Sequence, residues 1–395
     1  MTAEPRRICV VTTSRADYGL LRRLMEEINL DQALQLQVVA TGMHLVPELG
    51  QTISVIEADG LGPDRAVEML LAADSDLGAA KSIGVGLLAF PDVLKQLDPQ
   101  LVVVLGDRFE LLAPAVAALM LRIPIAHIHG GETTEGALDE AIRHAVTKFS
   151  TLHFASTETY RKRIIQMGEN PERVFNFGAP GLDNLYHLEL FSREELEQRL
   201  EFALAGPVAL VTYHPATLEP GLARERLDDL LEALESVAIK AVFTKANADE
   251  QGYAINRRLA EFCQRNPDRY RLYDSLGTQL YFSCMAHCDL MVGNSSSGLI
   301  EAPSFHLPVV NVGERQAGRV RAENVIDVAS RRDDIKEGIT RALSQQFRST
   351  LTSVENPYDA SKDGSASRRI KEVLKSVDLS AGALKKAFYD YPEVR

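Results

Sequence analysis

Leu101-Val-Val-Val-Leu-Gly-Asp-Arg-Phe-Glu110 is the stretch that decides the fold of this 395-residue chain. Five apolar, mostly branched residues that stop abruptly at Gly-Asp-Arg read as a strand buried on both faces. Parallel sheets covered by helices produce that pattern. Ile123-Pro-Ile-Ala-His-Ile128, followed by His129-Gly-Gly-Glu132, repeats it. In an open parallel sheet the ligand sits beyond the carboxyl ends of the strands. Asp107, Arg108, His129, Glu132 and Asp139 are therefore expected to share one crevice.

Outward from this core, strand-like and helix-like runs alternate. Before it come Ile8–Thr12, Tyr18–Ile28, Leu36–Ala40 and a long helical zone at Ala79–Leu97; after it come Leu111–Leu121, Leu138–Phe149 and Leu152–Ala155. A composition break at Phe177-Gly-Ala-Pro-Gly181 precedes a charged helix, Ser192–Glu201. The cycle then restarts, with strands expected at Val208–Thr212, Ala241–Thr244, Tyr270–Tyr273, Leu290–Val292 and Pro308–Val312. Alternation of this kind gives right-handed βαβ units. The expected fold class is α/β, with two Rossmann-like doubly wound domains. Their expected limits are 1–185 and 186–377, followed by a tail at 378–395 that can form one helix. Two such domains usually take a ligand in the cleft between them.

Composition removes several functions. A net charge of −12 and a pI near 5.3 are wrong for a nucleic-acid surface, which needs a broad excess of Lys and Arg. No apolar stretch is expected to approach the ~20 residues of a membrane span, and the start Met1–Arg7 is polar, so no membrane partner and a cytoplasmic location are expected. Cys9, Cys263, Cys284 and Cys288 suit a reduced compartment. Neither half carries Gly-x-Gly-x-x-Gly after its first strand, which argues against a nicotinamide enzyme.

Gly293-Asn-Ser-Ser-Ser-Gly298 follows one strand and opens a helix-forming stretch that contains Glu301. Glycines allow close approach, serines offer hydroxyls, and a helix start presents unpaired N–H groups, so a diphosphate would fit. Arg15, Arg108 and Arg315 follow other strands and could add positive charge. His214, in Thr-Tyr-His-Pro-Ala, and Asn247 also stand just past strands. A nucleotide diphosphate is the favoured ligand, with Glu301 suited to a ribose diol. Asp107, Glu110, Glu132, Glu135, Asp139 and Glu140 crowd one region with His127, His129 and His144. Carboxylates in one cleft separate their acid and base roles. His-x-His could bind zinc, both rings sharing one strand face, but acid/base work is the preferred reading and no metal is expected.

In order, Thr13–Gly19, Thr41–Leu45, Gly106–Glu110, His129–Glu132, Asp139–Lys148, Gly293–Gly298, Gly313–Arg319 and Asn356–Tyr358 resemble the hydrolysing UDP-N-acetylglucosamine 2-epimerases. The similarity runs from Ile8 to about Val377. It implies the glycosyltransferase-B architecture, no cofactor, a UDP-sugar substrate and a homodimer or homotetramer. It also implies that Arg15, Arg108, His214, Asn247, Ser275, Ser295, Ser296, Glu301 and Arg315 hold UDP. His44, Asp107 and Asp139 would lie beside the sugar. Many relatives place a catalytic Glu where this chain has His129, which leaves His129 and Glu132 as alternatives for that role. The implied reaction converts UDP-N-acetylglucosamine to UDP and N-acetylmannosamine through a 2-acetamidoglycal, as sialic-type acid synthesis requires. A 2,4-diacetamido-2,4,6-trideoxy substrate, or a non-hydrolysing epimerase, is the alternative.

Overall fold

The computed structural model describes residues 4–47, 51–71, 75–135, 138–214, 222–246, 252–380 and 385–390. The chain divides into two units, the first holding Met1–Glu132, Leu138–Tyr186 and Tyr358–Arg395, the second Thr133–Ala137 and His187–Pro357.

In the first unit seven parallel strands are arranged in the order β3-β2-β1-β4-β5-β6-β7. They are β1 (Arg6–Thr12), β2 (Leu34–Thr41), β3 (Arg65–Val67), β4 (Leu101–Leu105), β5 (Ile125–Ile128), β6 (Leu152–Ala155) and β7 (Val174–Asn176). All five residues of β4 are buried, as a strand covered on both faces requires. Successive side chains alternate between faces. Ile8, Val10, Val103 and Leu105 pack with Leu21 and Leu24 of the helix Arg15–Asn29 and with Ile370 and Leu374 of the helix Ala366–Ser376. Cys9, Val11, Val102 and Val104 face Phe90 and Leu94 of the helix Asp76–Leu97. Each fully buried Val, Leu or Ile contributes roughly 1.5–3 kcal/mol.

The second unit repeats the plan with six parallel strands, in the order β10-β9-β8-β11-β12-β13. These are β8 (Val208–Thr212), β9 (Lys240–Thr244), β10 (Tyr270–Tyr273), β11 (Leu290–Gly293), β12 (Val309–Val312) and β13 (Val325–Val328). The strand order reverses direction at β1/β4 in one sheet and at β8/β11 in the other. Such switch points are where doubly wound sheets open a crevice for ligand.

Three expectations change. The second unit ends at Pro357, not near 377, because the helix Ala366–Ser376 packs on the first sheet's side. Its start is capped there by the Asp183 carboxylate, which accepts from Ala366 N at 3.0 Å and Ser367 N at 2.6 Å. The tail is not one helix: residues 378–380 and 385–390 are irregular. Lys386 instead donates to the carbonyls of Lys148 and Ser150 and pairs at 2.6 Å with the buried Glu169 carboxylate. Finally, Asp76–Leu97 has 22 residues and a mean hydropathy of 1.4 over its best window, long and apolar enough to cross a membrane by those criteria alone. Here it lies on the helix Leu112–Met120, so tightly at Gly86 that an added Cβ would sit 2.7 Å from the Ala113 methyl.

Candidate active site

In the first unit the expected residues sit at the carboxyl ends of neighbouring strands, each by itself a consequence of where a buried run stops. Arg15 follows β1, His44 follows β2, Asp107 and Arg108 follow β4, and His129 and Glu132 follow β5. Asp139 lies in the first turn of the helix Leu138–Phe149. Asp107 ion-pairs with Arg143, whose side chain is only 1% exposed, and Arg143 also reaches Glu140 at 3.2 Å. Arg108 pairs at 3.1 Å with Glu110, a fully buried carboxylate whose pKa desolvation raises, against the pull of Arg108. Burial of its surroundings also lowers the Arg15 pKa.

His44 is buried just past β2. Its Nε2 lies 2.9 Å from Thr12 Oγ1 and its Nδ1 2.9 Å from Thr52 Oγ1. Desolvation lowers its pKa to about 4. A neutral ring with both nitrogens engaged links Thr12, at the end of β1, to Thr52. The two histidines of His-x-His differ in backbone and in partners. His127 is buried in β5, with Nε2 2.8 Å from the Gly106 carbonyl oxygen, and desolvation takes its pKa to about 3. His129 leaves strand geometry altogether, at φ 63°. Its Nδ1 lies 2.7 Å from Glu132 Oε1, which also accepts from Ser156 Oγ at 2.7 Å. Gly131 makes this loop possible: at φ +73°, an added Cβ would lie 2.6 Å from the Tyr160 carbonyl oxygen. Among the described residues no three His, Cys, Asp or Glu side chains converge as metal ligands would.

Among the described residues, the second unit carries its candidates at four strand ends. Ser275 follows β10, His214 follows β8, Ser295 and Ser296 follow β11, and Arg315 follows β12. Asn247, expected after β9, lies outside the described residues. The helix that opens at the serine loop is short, Ser297–Ile300, and passes into a 3-10 turn at Ala302–Phe305. Its dipole is correspondingly small. Glu301, at the junction, is 8% exposed. Ser275 is exposed, and its hydroxyl accepts from Gly277 N at 3.3 Å.

Several organising residues were not read from the sequence. Asn294 bridges the β8/β11 switch point by accepting from His214 N at 2.7 Å and donating to His214 O at 2.8 Å. Its own carbonyl accepts from Arg315 at 3.1 Å and Gln316 at 2.8 Å. Tyr281 hydrogen-bonds Thr212 and Ser297, and desolvation takes its pKa to about 12 despite those bonds. Arg143 had a signal: it stands on the apolar stripe of its helix with Val146 and Thr147, where a lone cation needs a carboxylate.

The first unit thus carries a cluster rich in titratable groups, and the second one built of amides, hydroxyls and arginine. Residues 26–375 match the family described as UDP-N-acetylglucosamine 2-epimerase. The chain belongs to that family. Within it, the chain is 41% identical to the GDP/UDP-N,N'-diacetylbacillosamine 2-epimerase (hydrolyzing) of Campylobacter jejuni subsp. jejuni serotype O:2, over 87% of this chain and 89% of the relative. It is 37% identical to the UDP-N,N'-diacetylbacillosamine 2-epimerase (hydrolyzing) of Legionella pneumophila subsp. pneumophila, over 96% and 98%. Polysialic acid biosynthesis protein P7 of Escherichia coli is 38% identical, over 98% of each chain. These relatives identify the hydrolysing 2-epimerases as its branch. The crystal structure of UDP-GlcNAc 2-epimerase from Neisseria meningitidis bound to UDP-GlcNAc superposes with a TM-score of 0.79 at 20% identity, covering 93% of this chain and 99% of that one. The fold of this 2-epimerase is accordingly the two-domain glycosyltransferase-B architecture.

Proposed function

We propose that the protein is a hydrolysing 2-epimerase of UDP-N,N'-diacetylbacillosamine, that is, UDP-2,4-diacetamido-2,4,6-trideoxyglucose, and that it releases UDP and the free 2-epimeric sugar. The observation that carries the choice of sugar is the 41% and 37% identity to two enzymes named for nucleotide-linked diacetylbacillosamine, the first for its GDP or UDP form and the second for its UDP form. The reading expected from sequence, UDP-N-acetylglucosamine to N-acetylmannosamine, becomes the second reading. It is favoured by the 38% identity to a polysialic acid biosynthesis protein.

The same chemistry serves either sugar. A base removes the C2 proton, its electron pair forms the C1=C2 double bond, and the C1–O pair leaves with UDP. Water then adds across the glycal: its oxygen bonds C1, a proton is delivered to C2 from the other face, and the remaining water proton is taken up by a base. Because a C2 proton is weakly acidic, C1 must become strongly positive as the diphosphate departs. Arg108 and Arg15, with His214, Arg315, Ser295, Ser296, Ser275 and Asn247 from the second unit, are the groups proposed to hold UDP and stabilise that departure. Glu301 is assigned the ribose. Asp107 and Asp139, with His129 or Glu132, handle the protons.

We also infer self-association through the first unit, where Leu88 and Met120 are 81% and 75% exposed on two helices that pack together. Burying both side chains in a contact between copies would remove their apolar area from water. Light scattering should give a dimer or tetramer, and lysines at both positions should dissociate it. The choice of sugar is tested by offering equal amounts of both UDP-sugars and following which free sugar appears. Preferential turnover of the diacetamido sugar is expected; preference for UDP-N-acetylglucosamine would reverse the two readings. An epimer still carrying UDP would mean a non-hydrolysing enzyme.

A further inference from the structure

We propose that His129 is the base that removes the C2 proton, that Glu132 sets its tautomer, and that Ser156 holds Glu132 in register; the assignment rests on the 2-epimerase reading. Three observations point to it. First, His129 Nδ1 is 2.7 Å from Glu132 Oε1. A carboxylate can only accept, so Nδ1 carries a proton, and in the neutral ring the lone pair is the one on Nε2. Second, Nε2 is buried and has no hydrogen-bond partner among the described residues, in a side chain only 7% exposed. Buried imidazole nitrogens are normally satisfied within the fold; one left open at a strand's carboxyl end, beside the Asp107 strand, is placed to meet a ligand. Third, the assembly is fixed from two strands at once. His129 N donates to Phe154 O of β6 at 3.0 Å, and two residues further along the same chain Ser156 donates to Glu132 at 2.7 Å. The strained loop adds to this: histidine at φ 63° and Gly131 at +73° permit little rearrangement.

The chemistry follows. Nε2 takes the proton from C2, the freed pair becomes the glycal double bond, and the C1–O pair departs with UDP. The imidazolium that forms is stabilised by Glu132, behind it, as in the Ser-His-Asp arrangement. His129 thus does what many relatives assign to a carboxylate at this position, while Glu132 and Ser156 are positioning residues that touch no substrate. Asp107 and Asp139 remain for the second half-reaction.

The test combines UDP release in heavy water with nitrogen-15 spectra of protein labelled at histidine. The wild type should release UDP, place deuterium at C2 and show His129 in the Nδ1–H form, its resonances identified by their loss in H129Q. H129Q should lose about 10²–10⁴ in kcat while KM changes less than about threefold. In E132Q the amide donates to Nδ1, forcing the proton to Nε2; the spectrum should show that tautomer and kcat should fall, with E132D recovering part of both. S156A should lower kcat roughly tenfold at unchanged KM, a split that general destabilisation does not produce. H129E should retain turnover with its acid limb at lower pH, since carboxyl groups titrate below imidazoles.

Wild-type turnover together with full kcat in H129Q overturns the assignment and leaves the 2-epimerase reading standing. So does a wild-type His129 in the Nε2–H form, which can be read even if H129Q fails to fold. If the wild type releases no UDP from either sugar, the 2-epimerase reading itself falls, and the base assignment with it.

Discussion

The β4–β5 edge of the first sheet and the β8–β11 edge of the second are built on the same strand plan but filled with opposite chemistry. At the first, charged and titratable side chains answer one another: Asp107 with Arg143, Arg108 with Glu110, His129 with Glu132. At the second, the His214 backbone and the Asn294 side chain exchange two neutral hydrogen bonds, and Arg315 lies on a carbonyl. A site that moves protons needs groups whose charge changes. One that grips a diphosphate needs donors that stay as they are. The contrast teaches that one architecture can divide chemistry from binding, so substitutions in the two places should fail differently.

The largest effect is expected at the first edge. D107N should reduce kcat by about 10²–10⁴ if Asp107 handles a proton, while calorimetry finds UDP affinity nearly unchanged. A UDP affinity that collapsed with kcat would erase the distinction. At the second edge, N294A should weaken UDP binding by roughly tenfold, because a lost buried partner costs about 1–3 kcal/mol and part of that falls on the His214 loop. Its kcat at saturating substrate should change much less.

Acid should also separate the two units. In the first, His44, His127 and His153 all have pKa values lowered by desolvation, His44 to about 4 and His127 to about 3. An unfolded histidine titrates near ~6.5, so between there and pH 4 the unfolded chain gains protons that the folded unit refuses, and stability falls as pH falls. Hydrogen exchange should show β5 and β6 losing protection in that window before β8 and β11 do. Equal loss in both would mean the buried histidines do not govern acid sensitivity.

The smallest effect concerns the tail. Glu169 is buried, which alone would raise its pKa, yet hydrogen bonds from His153, Lys148 and Lys386 bring it to about 2. K386A leaves two of those partners, so a loss of about 1 kcal/mol or less and unchanged UDP affinity are expected. A melt lowered by many degrees would make the tail a structural strap of the first unit.

How much of this the sequence disclosed depends on how local each signal is. β4 and β5 were legible because five or six apolar residues ending in Gly-Asp or His-Gly leave few alternatives. β3, β7 and β13 were missed since they are short edge strands, only partly buried, whose runs are broken by Arg65, Asn176 and Asp327. The positions of Asp107, His129, Ser295 and Arg315 followed from strand ends. The partners did not: Arg143, Asn294 and Ser156 act through tertiary contacts that no spacing announces. The partners of His44 were hidden for the same reason, as Thr12 and Thr52 come from either side of it in sequence. The domain limit failed because the helix Ala366–Ser376 returns to the first unit, held by Asp183 far earlier in the chain.

The central claim is that carbon–hydrogen cleavage next to the anomeric carbon accompanies loss of UDP, and mass analysis of the sugar formed in heavy water tests it most directly. One non-exchangeable deuterium at C2 of a free, 2-inverted sugar is the predicted result. A released sugar with protium at C2 and its original configuration would contradict the account, since simple hydrolysis of the donor would then explain everything observed.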